Sequence, residues 1–232
     1  MDDLDEIKTK LDFCEKLGIK NLILEPKNNK KTISLDLKMK LKALTRINLY
    51  YRITLKPSGL KELKNMIRNY NNFKDLLSVE TLDKDTHIYA AKDSRVDILS
   101  FSEQKSLKTL SRGVISLVKQ SGSYIEFSLA PIMIANKSIQ SKNFRTLYRS
   151  LKLVRNLNVN YIINGNFEDI YDFRHPRALI SICYSLLDLP LYEAKKAFKE
   201  YHLNLLKRVQ GRHNNNIIEA GIRIIKENDK IG

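Results

Sequence analysis

Short apolar runs of strand length alternate with helical periodicities along this chain, and that alternation restricts the fold more than any other feature. The runs that read as strands are NLIL (21–24), INLYYRITL (47–55), LLSVET (76–81), RVDILSF (95–101), YIEFSL (124–129), NYIIN (160–164) and AGIRII (220–225). They are largely continuous in apolar character, as expected of strands covered on both faces. Between them lie helical patterns. Residues 4–17 place Leu4, Ile7, Leu11 and Cys14 on one face, and 58–70 do the same with Leu60, Leu63, Ile67 and Tyr70. Residues 105–120 use Leu107, Leu110, Val114 and Leu117, and 142–157 use Phe144, Leu147, Tyr148, Leu151 and Val154. Two further helices are expected over 177–187 and 191–209. Pro176 and Pro190 stand at their starts, where a missing N–H costs little. Such repeated alternation predicts an α/β fold built on a parallel sheet. A closed β/α barrel and an open doubly wound sheet both fit it.

At 232 residues with 43% hydrophobic content, the chain suits one well-packed unit, and it has no low-complexity linker or internal repeat. A single domain over 1–232 is therefore expected. No apolar run is long enough to span a membrane. The opening MDDLDEIKTK has no signal-peptide pattern. Cys14 and Cys183 each sit in an apolar helical pattern, far apart, which fits a reducing compartment and a cytoplasmic location.

Charge narrows the partner. Lys and Arg number 41 against 26 Asp and Glu, a formal net charge of +15. An excess of this size repels itself in the folded state and points to a polyanion, although a compositional bias toward Lys, Asn and Ile also raises the lysine count. The excess is local. Residues 27–68 carry twelve Lys/Arg with only Asp36 and Glu62 as acids, and further basic blocks run from Lys137 to Arg177 and from Lys195 to Arg212. Three cationic rows have helical spacing: Lys61, Lys64 and Arg68; Lys105, Lys108, Arg112 and Lys119; and Lys142, Arg145, Arg149 and Lys152. Each row projects from one side of its helix, where stacked like charges cost a few tenths of a kcal/mol per pair unless an anion relieves them. A solvated helix face is the plainer reading of any one row. No aromatic submotif for base stacking and no GxxG loop is present, and Tyr50 and Tyr51 read as strand residues facing opposite ways.

Catalytic patterns are sparse. His87, His175, His202 and His213 form neither an HxH pair nor an HExxH motif, and no GxGxxG or GxxxxGK[ST] occurs. The strand-end acids are Glu25, Asp97 and Glu126. Asp97 and Glu126 fall on neighbouring strands of a parallel sheet and could bind a hard cation or act as an acid/base pair.

Specific strings narrow the reading. They are EKLGIKNLILEP (15–26), RVDILSF (95–101), YIEFSLAPIM (124–133), NFRTLYRSLKLVRNLNVNYIING (143–165), FRHPRALISICYSLLDLPLYEAKKAF (173–198) and NNNIIEAGIRII (214–225). In this order and spacing they resemble ribonuclease P protein component 3, the archaeal and eukaryotic RNase P/MRP subunit family. The resemblance implies a TIM-barrel-like fold related to PHP phosphoesterases. It implies a non-catalytic subunit of an enzyme that removes the 5′ leader of precursor tRNA, with RNase P RNA performing the chemistry with Mg²⁺. No cofactor would be bound by the protein. Component 2 and other RNase P protein subunits would be its protein partners. The histidine-rich metal motifs of PHP enzymes do not occur here. The family usually begins with a strand ahead of the first helix, whereas Met1 here runs straight into that helix, so either the barrel has an incomplete strand set or the start lies upstream. On this reading the residues expected to contact RNA are Arg112, Lys119, Arg145, Arg174, Arg177, Lys195 and Lys196. Arg174 and Arg177 flank a helix start, whose N–H groups also favour phosphate. The rival readings are a PHP-type metal-dependent phosphoesterase using Asp97 and Glu126, and a scaffold that touches protein alone.

Overall fold

The computed structural model describes residues 4–26, 32–71, 73–167 and 169–212, together with two short strands at 217–219 and 222–223. Six strands form one parallel sheet: β1 (Asn21–Leu24), β2 (Asn48–Leu55), β3 (Leu76–Val79), β4 (Ile98–Phe101), β5 (Tyr124–Ser128) and β6 (Tyr161–Asn164). Their spatial order equals their chain order. Every crossover therefore runs the same way, the helices collect on one face, and the sheet curls as in a β/α barrel. With β1 and β6 as edges, the result is a half-barrel. The expected barrel-like class and incomplete strand set both hold. The run at 220–225 does not add a seventh parallel strand: β8 (Ile222–Arg223) pairs antiparallel with β7 (Ile217–Glu219) in a separate two-stranded sheet, and 220, 221, 224 and 225 lie outside the described residues.

Strand alternation sorts the side chains by face. On the convex face Ile53, Leu55, Leu77, Val79, Leu99, Phe101, Ile125, Phe127 and Ile163 form one core. The helices that cover it are α3 (Leu60–Arg68), α4 (Lys84–Lys92), α6 (Arg112–Ser121), α7 (Lys137–Asn156), α8 (Pro176–Ser185) and α9 (Leu191–Phe198). The short α5 (Gln104–Leu107) adds Leu107 to the same core, and α1 (Leu4–Lys16) and α2 (Leu35–Ala43) supply none of its residues. Side-chain caps begin several of them. Asp83 accepts from the Thr86 N–H, and Asn136 from the Ile139 N–H, each a contribution of about 1 kcal/mol.

The concave face carries a second apolar set: Leu76, Ile98, Tyr124 and Ile162, flanked by Ile23 and Tyr50. It is covered by α10 (Glu200–Arg212), which inserts Leu205, Leu206 and Val209. Burying each of these contributes about 1.5–3 kcal/mol. Here the single helix expected over 191–209 is corrected. The chain leaves helical geometry at Lys199 (φ −132, ψ −69), so α9 packs on the convex side and α10 on the concave side. Tyr201 sits at the crossing and packs edge-on against Tyr161 at 5.6 Å.

The helix expected over 105–120 also divides. Thr109 Oγ1 donates to the Ser106 carbonyl, and Ser111 Oγ accepts from the Val114 N–H, restarting the helix at Arg112. Lys105 and Lys108 therefore do not share a helix with Arg112 and Lys119. Tyr50 and Tyr51 do face opposite ways: Tyr50 joins the concave cluster, while the Tyr51 hydroxyl donates to the Lys38 carbonyl and its ring lies under the Lys38 ammonium.

A buried histidine makes this core sensitive to acid. His87, on α4, is fully buried and stacked on Phe101 at 4.8 Å, with Nδ1 2.7 Å from Thr109 Oγ1. Burial pushes its imidazole down from 6.5 to about 4. The unfolded imidazole takes up a proton below 6.5 that the folded one refuses, so stability is complete above that pH and falls as the pH drops toward 4. The shift corresponds to about 3 kcal/mol at most. Urea midpoints measured across this range should decline, and His87→Gln should remove one proton's worth of the slope. An unchanged slope in that variant would refute the assignment.

Candidate nucleic-acid interface

In β/α barrels catalytic groups sit at the carboxyl ends of the strands. Here that end of the concave face holds a buried polar knot. Arg52, on β2, is 6% exposed and Glu126, on β5, is 1% exposed; Arg52 Nη1 donates to Glu126 Oε1, and Asn164 Nδ2 donates to the same oxygen. Arg52 Nε also lies 2.9 Å from Glu25 Oε2 and donates to Thr54 Oγ1 at 3.1 Å. Burial opposes the guanidinium's charge, but Glu126 and Glu25 more than offset it and hold its pKa above the ordinary value. From α10, His202 lies within electrostatic reach of Glu126 and Arg52, and burial pushes its imidazole down to about 4. Glu126 thus meets a permanent cation and an amide.

The pairing of Asp97 with Glu126 that the rival phosphoesterase reading requires does not form. Their strands are neighbours, but Ser100 is the register partner of Glu126, so Asp97 falls on the opposite face by strand alternation. Asp97 lies at the start of β4, where its Oδ2 accepts the Leu77 N–H at 3.0 Å and its carbonyl accepts the Tyr124 N–H. It staples three strands together. No group of three or more His, Cys, Asp or Glu with metal-site geometry occurs among the described residues. Cys14 and Cys183 are both buried and unpaired with each other. Burial pushes their thiols up, to about 11 for Cys14 and about 12 for Cys183, which removes their nucleophilicity near neutral pH.

The cationic residues lie outside. All seven expected RNA contacts are exposed, but they do not converge on one spot. Arg112 and Arg177 open α6 and α8, and Arg174 lies just before α8, so these three sit toward the carboxyl ends of the strands. Arg174 Nη1 is engaged with the Tyr171 and Phe173 carbonyls, and His175 Nδ1 accepts the Arg177 N–H, so one of the first N–H groups of α8 is already taken. Lys119 is at the other end of the sheet, where Nζ donates to the Leu157 carbonyl and caps α7. Lys195 and Lys196 are in the last turn of α9, with Lys196 4.0 Å from Glu200.

Arg145 belongs to the most unbalanced element. Helix α7 has twenty residues, KSIQSKNFRTLYRSLKLVRN, with six cations and no acid. Lys142, Arg145, Arg149 and Lys152 form its exposed row. Among the described residues none of these four enters an ion pair, and only Arg155 does, with Glu193. The sequence identified this row, but it could not single out Arg149 and Lys152 from the other exposed cations, because that depends on where the neighbouring acids are.

Comparison with known proteins places this geometry. The family described as RNase P subunit p30 matches residues 1–214. A ribonuclease P protein component 3 from Methanococcus maripaludis strain S2 is 24% identical over 187 residues, covering 77% of this chain and 76% of its own. The same protein from strain C6 is 25% identical over 184 residues, covering 75% of each chain. Among solved structures, a chain of the cryo-EM structure of archaeal Ribonuclease P with mature tRNA superposes with a TM-score of 0.81 at 19% identity, over 95% of both chains. A crystal structure of an uncharacterized protein superposes with a TM-score of 0.56 at 10% identity, over 95% of this chain and 71% of that one. With the family matched along nearly its whole length and the half-barrel shared with a chain of that assembly, this protein belongs to the RNase P subunit p30 family.

Proposed function

We propose that this chain is a non-catalytic protein subunit of ribonuclease P. It grips RNA phosphates along its cationic helix faces and assists an RNA that removes the 5′ leader of precursor tRNA with its own Mg²⁺. The observation that carries the RNA contact is α7, where an exposed row of four cations stands on a helix with no acid. Such a row destabilises its own helix slightly and is relieved by a phosphate backbone. Arg145 belongs to this row, and Arg112, Lys119, Arg174, Arg177, Lys195 and Lys196 are further RNA contacts on other exposed faces. Its partners are RNase P RNA, precursor tRNA, component 2 and further subunits of the particle, in the cytoplasm; no helix among the described residues is long and apolar enough to cross a membrane.

The position where barrel enzymes place chemistry supports a structural role. Glu126 is bound to Arg52 and Asn164, and α10 lies against the lower half of the same face. Glu126 Oε1 is held by a fixed cation and an amide at once, an arrangement that ties strands together.

Reconstitution of precursor-tRNA cleavage from RNase P RNA and component 2, with and without this chain, tests the proposal directly. The chain should raise activity at limiting Mg²⁺, and no difference would sink the reading. Neutralising about six phosphates predicts a log–log salt slope of RNA affinity near −4 to −5. A flat salt dependence would refute the electrostatic account.

The knot gives a second test. Arg52→Met leaves Glu126 buried without its cation and should cost about 3–5 kcal/mol in urea unfolding. Arg52→Met/Glu126→Leu should recover most of that loss and keep activity in the reconstituted particle. A stable double variant that is inactive would instead assign Glu126 a chemical role.

A further inference from the structure

Beside the α7 row, at the end of the sheet opposite the Arg52–Glu126 knot, lies a recess of about 340 Å³. It is walled by Tyr148 and Lys152 of α7, by Asn158 just beyond that helix, by Asp188 of the α8–α9 turn, and by Tyr192 and Glu193 of α9. Asn158 (φ 50) and Asp188 (φ 55) both stand in the left-handed region without being glycine, and both face this space. The floor is built in advance. Arg155 Nε donates to Glu193 Oε1 at 3.0 Å and Nη2 to Oε2 at 2.8 Å, while Nη1 reaches the Asp188 carbonyl. The Tyr161 hydroxyl donates to Glu193 Oε1 at 2.7 Å. Burial and this bond together push the Tyr161 hydroxyl well above its ordinary pKa, so it remains a donor. One fork thus fixes α7, β6, the α8–α9 turn and α9 relative to one another, a support of the kind a recognition site needs.

Two features of the recess are unused by the fold. Tyr192 is 66% exposed and stacks on no other ring among the described residues. Lys152 ends the exposed α7 row that also carries Arg149, Arg145 and Lys142. An exposed aromatic face, amide and carboxylate groups around a polar recess, and an unpaired row of cations leading to it form the combination that takes single-stranded RNA. Bases stack on the ring and offer their edges to polar side chains, while the backbone follows the cations. A duplex cannot place a base there without unpairing it. A protein partner would be favoured by an aliphatic lining, and this one, apart from Leu187 and three tyrosines, is amide, carboxylate and cation.

We propose that this recess is a subsite for one unpaired nucleotide of an RNA, with the base stacked on Tyr192, its edge facing Asn158 and Asp188, and the flanking phosphates on Lys152 and Arg149. The inference rests on the reading that the chain binds RNA and adds where and in what form.

The test uses the full chain and a short single-stranded oligoribonucleotide of mixed sequence, in parallel with its blunt duplex, read by fluorescence anisotropy over a salt series. Tyr192→Ala should weaken single-strand binding by roughly 5- to 100-fold, the loss typical of one stacked base, with the salt slope unchanged. Duplex binding should stay the same, and Tyr192→Trp should restore the single-strand affinity. Arg149→Gln/Lys152→Gln should weaken both ligands and reduce the magnitude of the salt slope by about 1–2. If Tyr192→Ala leaves single-strand affinity intact while the double variant weakens both RNAs, the subsite is refuted and general RNA binding survives. If neither variant alters RNA binding but Tyr192→Ala lowers affinity for component 2, the recess is a protein socket and the proposal is overturned. Circular dichroism of each variant separates loss of binding from loss of fold.

Discussion

The packing of α10 against the concave side of the sheet is the interaction on which the rest of this structure depends. A parallel sheet whose strands lie in chain order collects its helices on one face. It leaves the other face, with Leu76, Ile98, Tyr124 and Ile162, to be covered by something else. In a closed barrel further strands complete the ring and the inward side chains cover one another. Here the sheet has six strands, and the same apolar belt is buried by Leu205, Leu206 and Val209 of a helix. That solution requires the chain to pass around the β6 edge, and the departure from helical geometry at Lys199 permits it. The Tyr161–Tyr201 contact then fixes where the passage occurs.

A consequence follows for the upper half of the same face. Above the apolar belt the inward positions become polar: Arg52, Ser78, Ser100, Glu126 and Asn164. A buried pair such as Arg52–Glu126 adds little net stability compared with a hydrophobic substitute, but it tolerates no loss of one partner. Its effect is to specify. The guanidinium reaches Glu126 and Glu25 at once, which ties β2 to β5 and to the end of β1 across the curl of the sheet. The site where other barrels arrange reactive groups is here spanned by this tie.

Much of this was legible in the chain, and the failures have identifiable causes. The buried strands were readable because both of their faces meet apolar partners, which yields long apolar runs such as YIEFSL. Helix boundaries were less so. Apolar periodicity continues through Ser111 and through Lys199, yet the helix stops at both: at Ser111 because a hydroxyl captures a backbone N–H, and at Lys199 because the two halves serve opposite faces of the sheet. Spacing does not encode which face a helix will cover. The Asp97–Glu126 pairing failed for a similar reason. Adjacency of strands follows from topology, but the face depends on register, and a one-residue difference inverts it. The run at 220–225 had strand composition, and composition alone does not choose a parallel neighbour over a hairpin.

The seven cations chosen from sequence are all exposed, but sequence could not rank them, since a cation's availability depends on acids distant in the chain. Arg155 illustrates this. It shares α7 with Arg145 and Arg149, yet Glu193, 38 residues away, claims its whole fork. Lys119 is likewise spent on the carbonyl that ends α7. Among the described residues, what remains without an ion pair on α7 is therefore a remainder set by packing: Lys137 at its start and the row Lys142, Arg145, Arg149 and Lys152. The same fork that removes Arg155 from the surface builds the recess at the end of this row. The chain's charge excess thus becomes directional where α7, the α8–α9 turn and α9 meet, at the end of the sheet opposite the Arg52–Glu126 knot.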